Sequence, residues 1–439
     1  MWLSLQSCRS PSEVHVVLGN EACDLDSMVS ALALAYYLAK VSVAVFVPVL
    51  NIPRSEFPLR TESSFLLQEQ QIPDTCLIFR DEIDLHALHR AGSLSLTLVD
   101  HHILPSGDAA LEEAVIEVID HRPLEREPRC RVTAELVGSC ATLVAERIVQ
   151  GPAELLDRQT AALLHGTIIL DCVNMTPEAG KVTPKDTQYV ALLESKFPDL
   201  PERNVLFEAL QTAKFDVSGL TTDQMLRKDL KVLSSDGLVL AISAVYVTLE
   251  AFLQRPGLQQ DLCAFCQRHG YGGLVAMTIS FNEWNEPFRQ LAVYSQHPAV
   301  RTVCGVLECA NNPPLDLSPL GSLYPNICAY HQGNTVASRK KVLPILKDFL
   351  REQEDSDVAG EVGAPEYEPR GRRDPARYPR HGDALLEDDA PLPPTPMNSL
   401  VDECPLDRGL PKLSAEAIFE KFSHIMVVRP STSSSPEKK

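Results

Sequence analysis

The residues of this chain that could do chemistry recur in one setting: acids and histidines placed directly after apolar runs. Asn20, Asp24 and Asp26 follow Val14–Leu18. Asp100-His101-His102 follows Leu94–Val99, Asp120-His121-Arg122 follows Val115–Ile119, and Asp171 closes Gly166–Leu170. A single aspartate so placed ordinarily caps a helix or forms a turn. Several gathered in one place would repel one another, and unpaired buried carboxylates are costly. A divalent cation removes that cost. Carboxylate oxygens suit Mg²⁺ or Mn²⁺, and an added imidazole tilts the choice toward Mn²⁺ or a similar metal. One shared aspartate can bridge two ions about 3.5–4 Å apart, which lowers the pKa of a bridging water and holds a phosphoryl oxygen. The reaction such a centre serves is hydrolysis of a phosphoester or phosphoanhydride. Spacing leaves both readings open, caps and turns or a metal centre. Recurrence of the same placement in four segments favours the second.

The elements that must position these groups can be read from the apolar pattern. Val14–Leu18, Val41–Val49, Leu94–Val99 and Val115–Ile119 read as buried strands, rich in Val, Ile and Leu without strict alternation. Ser27–Leu38, Ser63–Gln71, Ala134–Val149 and Arg158–Leu170 read as helices. Alternating strands and helices imply an α/β domain with a mainly parallel sheet. In such sheets ligands gather beyond the carboxyl ends of the strands, so the acidic segments should meet at one edge. This domain is expected over residues 1–205, with its pattern broken at Phe197-Pro198-Asp199-Leu200-Pro201. A smaller mixed α/β domain is expected over 212–350. Its strands are Leu238–Tyr246 and Gly273–Phe281, and its helix is Ser338–Phe349, which Pro344 should kink. From residue 351 to 439 Pro, Gly, Ser and charged residues dominate, and a disordered tail is expected. Within it, Pro391-Leu-Pro-Pro-Thr-Pro396 favours polyproline II, and Leu413–Phe422 has the pattern of a short amphipathic helix capped by Ser414.

Bulk properties exclude several classes. The formal net charge of −19 argues against a broad face for a nucleic-acid backbone. No apolar run reaches the roughly 18 residues of a membrane span. The first residues lack a secretory pattern. The 12 cysteines are scattered through apolar runs, which suits reduced thiols in the cytosol or nucleus. Cys263-Ala-Phe-Cys266 lacks a second ligand pair at zinc spacing and reads as a helix face. Cys23 lies between acids, which would raise its pKa, and is a poor nucleophile.

Taken in order, the motifs resemble the DHH phosphoesterase superfamily, in the branch that holds manganese-dependent inorganic pyrophosphatases and eukaryotic exopolyphosphatases. Gly19-Asn-Glu-Ala-Cys-Asp-Leu-Asp-Ser27 is similar to the first motif, Leu98-Val-Asp-His-His102 to the second and Val118-Ile-Asp-His-Arg122 to the third. Glu135-Leu-Val-Gly-Ser-Cys-Ala-Thr142 is similar to the helix start that follows, and Ile168-Ile-Leu-Asp171 to the fourth motif. Gly333-Asn-Thr-Val-Ala-Ser-Arg-Lys-Lys341 resembles the signature of the accompanying DHHA2-type domain. Each motif alone is weak, whereas the ordered set is highly specific.

The resemblance implies two divalent ions held by Asp24, Asp26, Asp100, His121 and Asp171, helped by Asn20, with Asp100 as the bridge. It implies substrate contacts from Arg122, Lys231, Arg339 and Lys340, the last two reaching the substrate across a cleft between the domains. His101 and His102 are expected to support the metals or touch phosphate. Asn20 stands where the pyrophosphatases have His, and exopolyphosphatases of this branch also use Asn there. Its amide oxygen is a harder donor, so Mg²⁺ is favoured over Mn²⁺. Arg122 stands where many members have a second His. It cannot be a general acid near neutral pH, but its fork suits a phosphate oxygen.

The expected activity is therefore that of an exopolyphosphatase on short linear polyphosphates, with cyclic-nucleotide phosphodiesterase activity as a further capability. The other reading is an interaction protein that works through its tail. For that role the resemblance implies nucleoside diphosphate kinase and glycogen synthase kinase as partners. It also implies functions in cell migration and neural development, and a cytoplasmic location extending to the nucleus and cell adhesions.

Overall fold

In a computed structural model of the chain, residues 13–126, 129–235, 238–281, 287–295, 300–322 and 324–360 are described. They form two compact units that part between Leu220 and Thr221.

The first unit is the alternating α/β domain the apolar pattern predicts. Its elements run β1 (Val14–Leu18), α1 (Leu25–Val41), β2 (Val45–Val49), α2 (Thr61–Glu69), α3 (Leu85–Arg90) and β3 (Leu94–Val99). They continue through β4 (Val115–Asp120), β5 (Arg131–Ala134), α4 (Cys140–Val149), α5 (Arg158–Asp171), α6 (Pro184–Lys196) and α7 (Arg203–Phe215). The sheet order is β2-β1-β3-β4-β5, and every pair is parallel. Side chains alternate across it. Val17 joins the helices α1, α4 and α5 on one face, and Val16 and Leu18 join Leu96 and Leu98 on the other. Both faces are covered, which is why the strands read as continuous apolar runs. In this order β1 connects to β2 on one side and lies against β3 on the other. That reversal opens a crevice beyond the carboxyl ends of β1 and β3, where open α/β sheets bind ligands.

Helix α1 is buried almost throughout, with Met28, Val29 and Ala31 fully enclosed. Each large side chain so buried contributes about 1.5–3 kcal/mol, so the turn before α1 rests on one of the firmest parts of the unit. Gly19 makes that turn possible. A Cβ there would lie 2.3 Å from Ser27 Oγ and 3.0 Å from the Ser27 carbonyl oxygen. Ser27 Oγ instead accepts the Asn20 N–H at 2.6 Å.

The structure departs from the sequence reading at several boundaries. The run expected as a strand from Val41 is still helical at Val41, and the strand begins at Val45. The α1 ladder closes one turn further, with the Ser42 N–H donating to the Leu38 carbonyl. The segment expected as one helix over 134–149 begins as the edge strand β5, passes through a loop, and turns helical only at Cys140. Gly138 weakens any helix through that loop, and the first free amides of α4 find their acceptor in Asp26 rather than in a preceding turn. Helix α7 covers the interval between the two expected domains and packs on α2 and α5 of the first unit. The expected tail begins inside a helix, since α12, described next, extends to Gly360. The polyproline run and the short helix expected in the tail lie outside the described residues.

The second unit comprises α8 (Thr222–Lys228), β6 (Leu230–Ser234), β7 (Val239–Val245), α9 (Leu249–Leu253), α10 (Leu258–His269) and β8 (Gly273–Phe281), then β9 (Pro287–Tyr294), α11 (Val300–Glu308), β10 (Leu317–Leu320), β11 (Ile327–Gln332) and α12 (Arg339–Gly360). Its mixed sheet has the order β10-β11-β9-β8-β7-β6, with only β7 and β8 parallel. Val342, Leu346, Phe349 and Leu350 of α12 enter its core beside Val275 and Leu291. Pro344 lies inside α12 without ending it. Among the described residues no helix is long and apolar enough to cross a membrane.

One buried histidine on α5 gives this fold a pH dependence. His165 is fully buried, with Nε2 3.0 Å from Glu194 Oε1, and Arg203 holds the same carboxylate through two hydrogen bonds of 2.6 Å. Burial lowers the His165 pKa, with Glu194 opposing. A histidine held below its unfolded value adds stability that is complete above the unfolded pKa and is lost as pH falls through the folded one. Between about pH 7 and pH 5 the melting temperature should therefore fall less for His165→Gln than for the unsubstituted protein. Thermal denaturation of both across that range checks this, and equal slopes would remove His165 as a source.

Candidate metal centre

The loop after β1 delivers two carboxylates with different tasks. Asp24 is the N-cap of α1, and its Oδ1 accepts the Ser27 N–H at 3.1 Å. Asp26, the second residue of the helix and 4% exposed, is turned toward α4 instead. Its Oδ2 accepts the Cys140 N–H at 2.6 Å and its Oδ1 the Ala141 N–H at 2.8 Å. Asp26 thus anchors the N-terminus of α4, where amides and macrodipole both favour an anion. Cys23, just before Asp24, is packing material, because burial pushes its thiol up to about 12.

Asp100 follows β3 and is 1% exposed. Its φ of 62° lies in the left-handed region, a strained choice for a residue with a side chain and a recurrent mark of functional sites. Neighbours fix it there. Its N–H donates to the Ile119 carbonyl at 2.9 Å, and its own carbonyl accepts from Asn20 Nδ2 at 3.2 Å and Arg122 NH1 at 3.1 Å. The carboxylate accepts from the same two residues, at 2.7 Å on Oδ2 from Asn20 Nδ2 and at 3.2 Å on Oδ1 from Arg122 NH2.

Asn20, expected as a ligand, has both ends of its amide engaged in this structure. The Cys23 N–H takes its amide oxygen at 3.0 Å, and its NH₂ group faces Asp100. The network sets this orientation, because an N–H needs the oxygen and a carboxylate needs the NH₂. Asn20 orients Asp100. Arg122 is likewise engaged with Asp100, yet only two of its five N–H groups are used there.

His121, after β4, completes the group. Its Nδ1 donates to the Val137 carbonyl at 2.9 Å, which leaves Nε2 facing Asp100 Oδ1 at 3.3 Å and Asp26 Oδ2 at 3.9 Å. A backbone carbonyl on Nδ1 is the usual way to fix the tautomer of a metal-binding imidazole. Among the described residues, Asp26, Asp100 and His121 form the one group of His, Cys, Asp or Glu whose ligand atoms all lie within 4.8 Å of one another.

Asp24 and Asp171, expected to join them, are not in this close trio. Asp171 ends α5, and its Oδ2 is buried without a hydrogen-bond partner. Burial, then the charges of Asp26 and Asp24, hold its carboxyl well above the usual range. Burial also raises Asp100, with Asp26 adding to it, and burial raises Asp26, with Asp24 adding and His121 opposing. For His121 burial acts downward, but the Asp100 hydrogen bond and the two carboxylate charges carry its pKa upward. A cation at this point would offset the burial and mutual repulsion that raise these carboxyls. Two carboxylates, an oriented imidazole and an orphaned buried Asp171 oxygen fit a divalent metal.

The other expected site residues are placed as follows. His102 has both ring nitrogens engaged, Nδ1 with Asp120 Oδ2 at 2.5 Å and Nε2 accepting the Glu125 N–H at 3.1 Å. It locks the loop after β4 and has no nitrogen left for phosphate. His101 donates from Nδ1 to the Val99 carbonyl at 3.0 Å, and its Nε2 is buried without a partner. Burial lowers its pKa to about 4, so it is neutral. Lys231, Arg339 and Lys340 stand on the second unit. Lys231 is exposed on β6 and Lys340 is exposed in the first turn of α12. Arg339 is paired with Asp229, 2.6 Å from its Oδ1, and donates to its carbonyl at 2.7 Å.

Residues that sequence reasoning missed are those acting through the backbone. The Val137 carbonyl and the Cys140 and Ala141 amides aim His121 and Asp26. Asn51 Nδ2 donates to the Gly19 carbonyl at 3.0 Å, and Arg60 NH2 to the Ala22 carbonyl at 2.7 Å, so both hold the first loop. The pair Gly138-Ser139 was the one signal available, since it marks a helix start at Cys140.

Residues 15–168 match the DHH family, N-terminal domain, and residues 208–349 match the DHHA2 domain. Exopolyphosphatase PRUNE1 of Bos taurus is 62% identical over 450 residues, covering 99% of this chain and 99% of that protein. Exopolyphosphatase PRUNE1 of Homo sapiens is 60% identical over 450 residues with the same coverage of 99% of each. Protein prune homolog 2 of Mus musculus is 38% identical over 352 residues, 79% of this chain and 11% of that longer protein. Identity of this degree over the whole length, on a sheet whose crest gathers Asp26, Asp100 and His121, places the chain in the PRUNE1 family with its DHH and DHHA2 domains.

Proposed function

We infer that this protein is a metal-dependent phosphohydrolase that releases phosphate from short-chain polyphosphates. The observation that carries this is the trio Asp26, Asp100 and His121, within 4.8 Å of one another at the sheet's switch point. The relatives named exopolyphosphatase support the choice of substrate. Divalent ions at this centre would supply charge neutralisation for phosphoryl oxygens and an acidified water for attack.

The chain's own residues do the rest. Asp26 and Asp100 bring the carboxylates, His121 offers Nε2, and Asp171 and Asp24 flank them as candidate ligands of a second ion. Asn20 and Arg122 hold Asp100 in its strained conformation, and the unused N–H groups of Arg122 suit a phosphate oxygen. Lys231, Arg339 and Lys340 are assigned to substrate binding on the resemblance. Mg²⁺ is favoured because only one imidazole is among the donors.

Phosphate release should be measured from pyrophosphate, tripolyphosphate and long polyphosphate, together with cleavage of cyclic AMP, each with Mg²⁺ or Mn²⁺. The expected result is fastest release from tripolyphosphate with Mg²⁺, abolished by EDTA and restored by excess metal. Absence of metal-dependent hydrolysis of every one of these would sink the reading.

A further inference from the structure

Two of the three cation-facing side chains take their aim from a single loop. The Val137 carbonyl accepts from His121 Nδ1 at 2.9 Å, and the Cys140 and Ala141 amides hold Asp26 at 2.6 and 2.8 Å. Behind this loop lies Asp186, the third residue of α6, which is 0% exposed and bonds to none of the trio. Its Oδ2 accepts the Gly138 N–H at 2.8 Å, and its Oδ1 accepts from Thr142 Oγ1 at 2.5 Å. Oδ2 also accepts from Thr183 N at 2.8 Å and Thr183 Oγ1 at 2.7 Å. The loop has no slack on this side. A Cβ on Gly138 would lie 2.4 Å from Cys172 Sγ and 2.6 Å from the Lys181 carbonyl oxygen.

The ordinary account of Asp186 is the capping box of α6, which it forms with Thr183. That explains the bonds to Thr183. It does not explain those to Gly138 and Thr142, which lie 48 and 44 residues away and bracket the amides that grip Asp26. A carboxylate suits this place better than an amide, because four donors converge on two oxygens and none of them needs a donor in return.

We propose that Asp186 is a positioning residue of the metal centre, which fixes the loop Val137–Ala141 so that His121 Nε2 and Asp26 point at one cation. This rests on the reading of Asp26, Asp100 and His121 as ligands of a divalent ion.

The test is Mn²⁺ binding to the full chain after chelator treatment, read by electron paramagnetic resonance, with circular dichroism to verify the fold. Asp186→Ala should weaken Mn²⁺ binding by about 10–100-fold, the range found when a group that orients a ligand is removed. Asp186→Asn, which keeps one oxygen for Gly138, should recover most of that loss. Thr142→Val, which removes only the bond to Oδ1, should weaken binding in the same direction. Thr183→Val should lower the melting temperature through the lost cap and leave Mn²⁺ binding unchanged. Wild-type affinity in folded Asp186→Ala overturns the proposal, and if that chain does not fold, wild-type affinity in Thr142→Val does so. Loss in Thr183→Val equal to that in Asp186→Ala would reduce Asp186 to a helix cap. An unsubstituted chain that binds no Mn²⁺ would instead overturn the metal reading on which this rests.

Discussion

Asp100→Asn is expected to lower phosphate release by about 10³-fold or more while the chain stays folded, since it removes several kcal/mol of metal-mediated charge stabilisation. The substitution separates charge from shape. Asparagine tolerates the left-handed φ of 62° and keeps the side chain's size. It removes a carboxylate that burial, with Asp26 adding to it, holds well above its usual range. A carboxyl raised in the folded state costs stability as pH rises from its unfolded value through the folded one. Without metal, near pH 8, Asp100→Asn should therefore melt at a higher temperature than the unsubstituted protein, and added Mg²⁺ should stabilise it less. Asp100→Ala should lose activity and stability together, because a non-glycine residue in that conformation costs about 1–2 kcal/mol without the polar contacts that hold Asp100 there. Phosphate release and melting curves with and without EDTA check each arm. Activity of Asp100→Asn at the unsubstituted level would place Asp100 outside the chemistry.

Gly138→Ala should be the most damaging single-methyl change in the first unit. A Cβ there meets Cys172 Sγ at 2.4 Å, the Lys181 carbonyl at 2.6 Å and Asp186 Oδ2 at 3.0 Å. One of these is backbone and one a buried carboxylate, so little can yield. Overpacking of this kind costs about 1–3 kcal/mol, which for a unit of roughly 200 residues lowers the melting temperature by about 2–4 °C per kcal/mol. Activity should fall further than stability, because the displaced loop carries the Val137 carbonyl and the amides that orient His121 and Asp26. Assay at a temperature where the variant is folded by circular dichroism separates the two effects. An unchanged melting temperature would show that the loop moves freely and that the close contacts are not constraints.

How far the sequence could be read is clearest in the first 125 residues. Val14–Leu18 and Leu94–Val99 are strands over the very residues expected, because a strand buried on both faces needs little beyond a short β-branched and leucine-rich run. Asp100 and His121 then follow from their places at strand ends, and the sheet order brings them beside Asp26. The reading fails where a distant partner decides. Residues 134–149 carry a helical pattern, yet the helix waits until Cys140, because Asp26, 114 residues earlier, supplies the acceptor for its first amide. His102, expected to support the metals or touch phosphate, is engaged by Asp120 and the Glu125 amide, partners its own position in sequence does not announce.

What the sequence by itself determined is the alternation of strand and helix, the two-domain order, and which acids stand at strand ends, because these depend on local periodicity and on the chain's own spacing. Only the tertiary structure decided what each polar atom faces. Asn20 turns its oxygen to Cys23 and its NH₂ to Asp100, Asp26 anchors a helix from another part of the chain, and Asp186 accepts from Gly138 and Thr142 on either side of the amides that hold Asp26. The physical reason is that a buried donor or acceptor must be satisfied wherever the fold brings a partner, and for each of these residues a deciding partner lies 44 to 114 residues away.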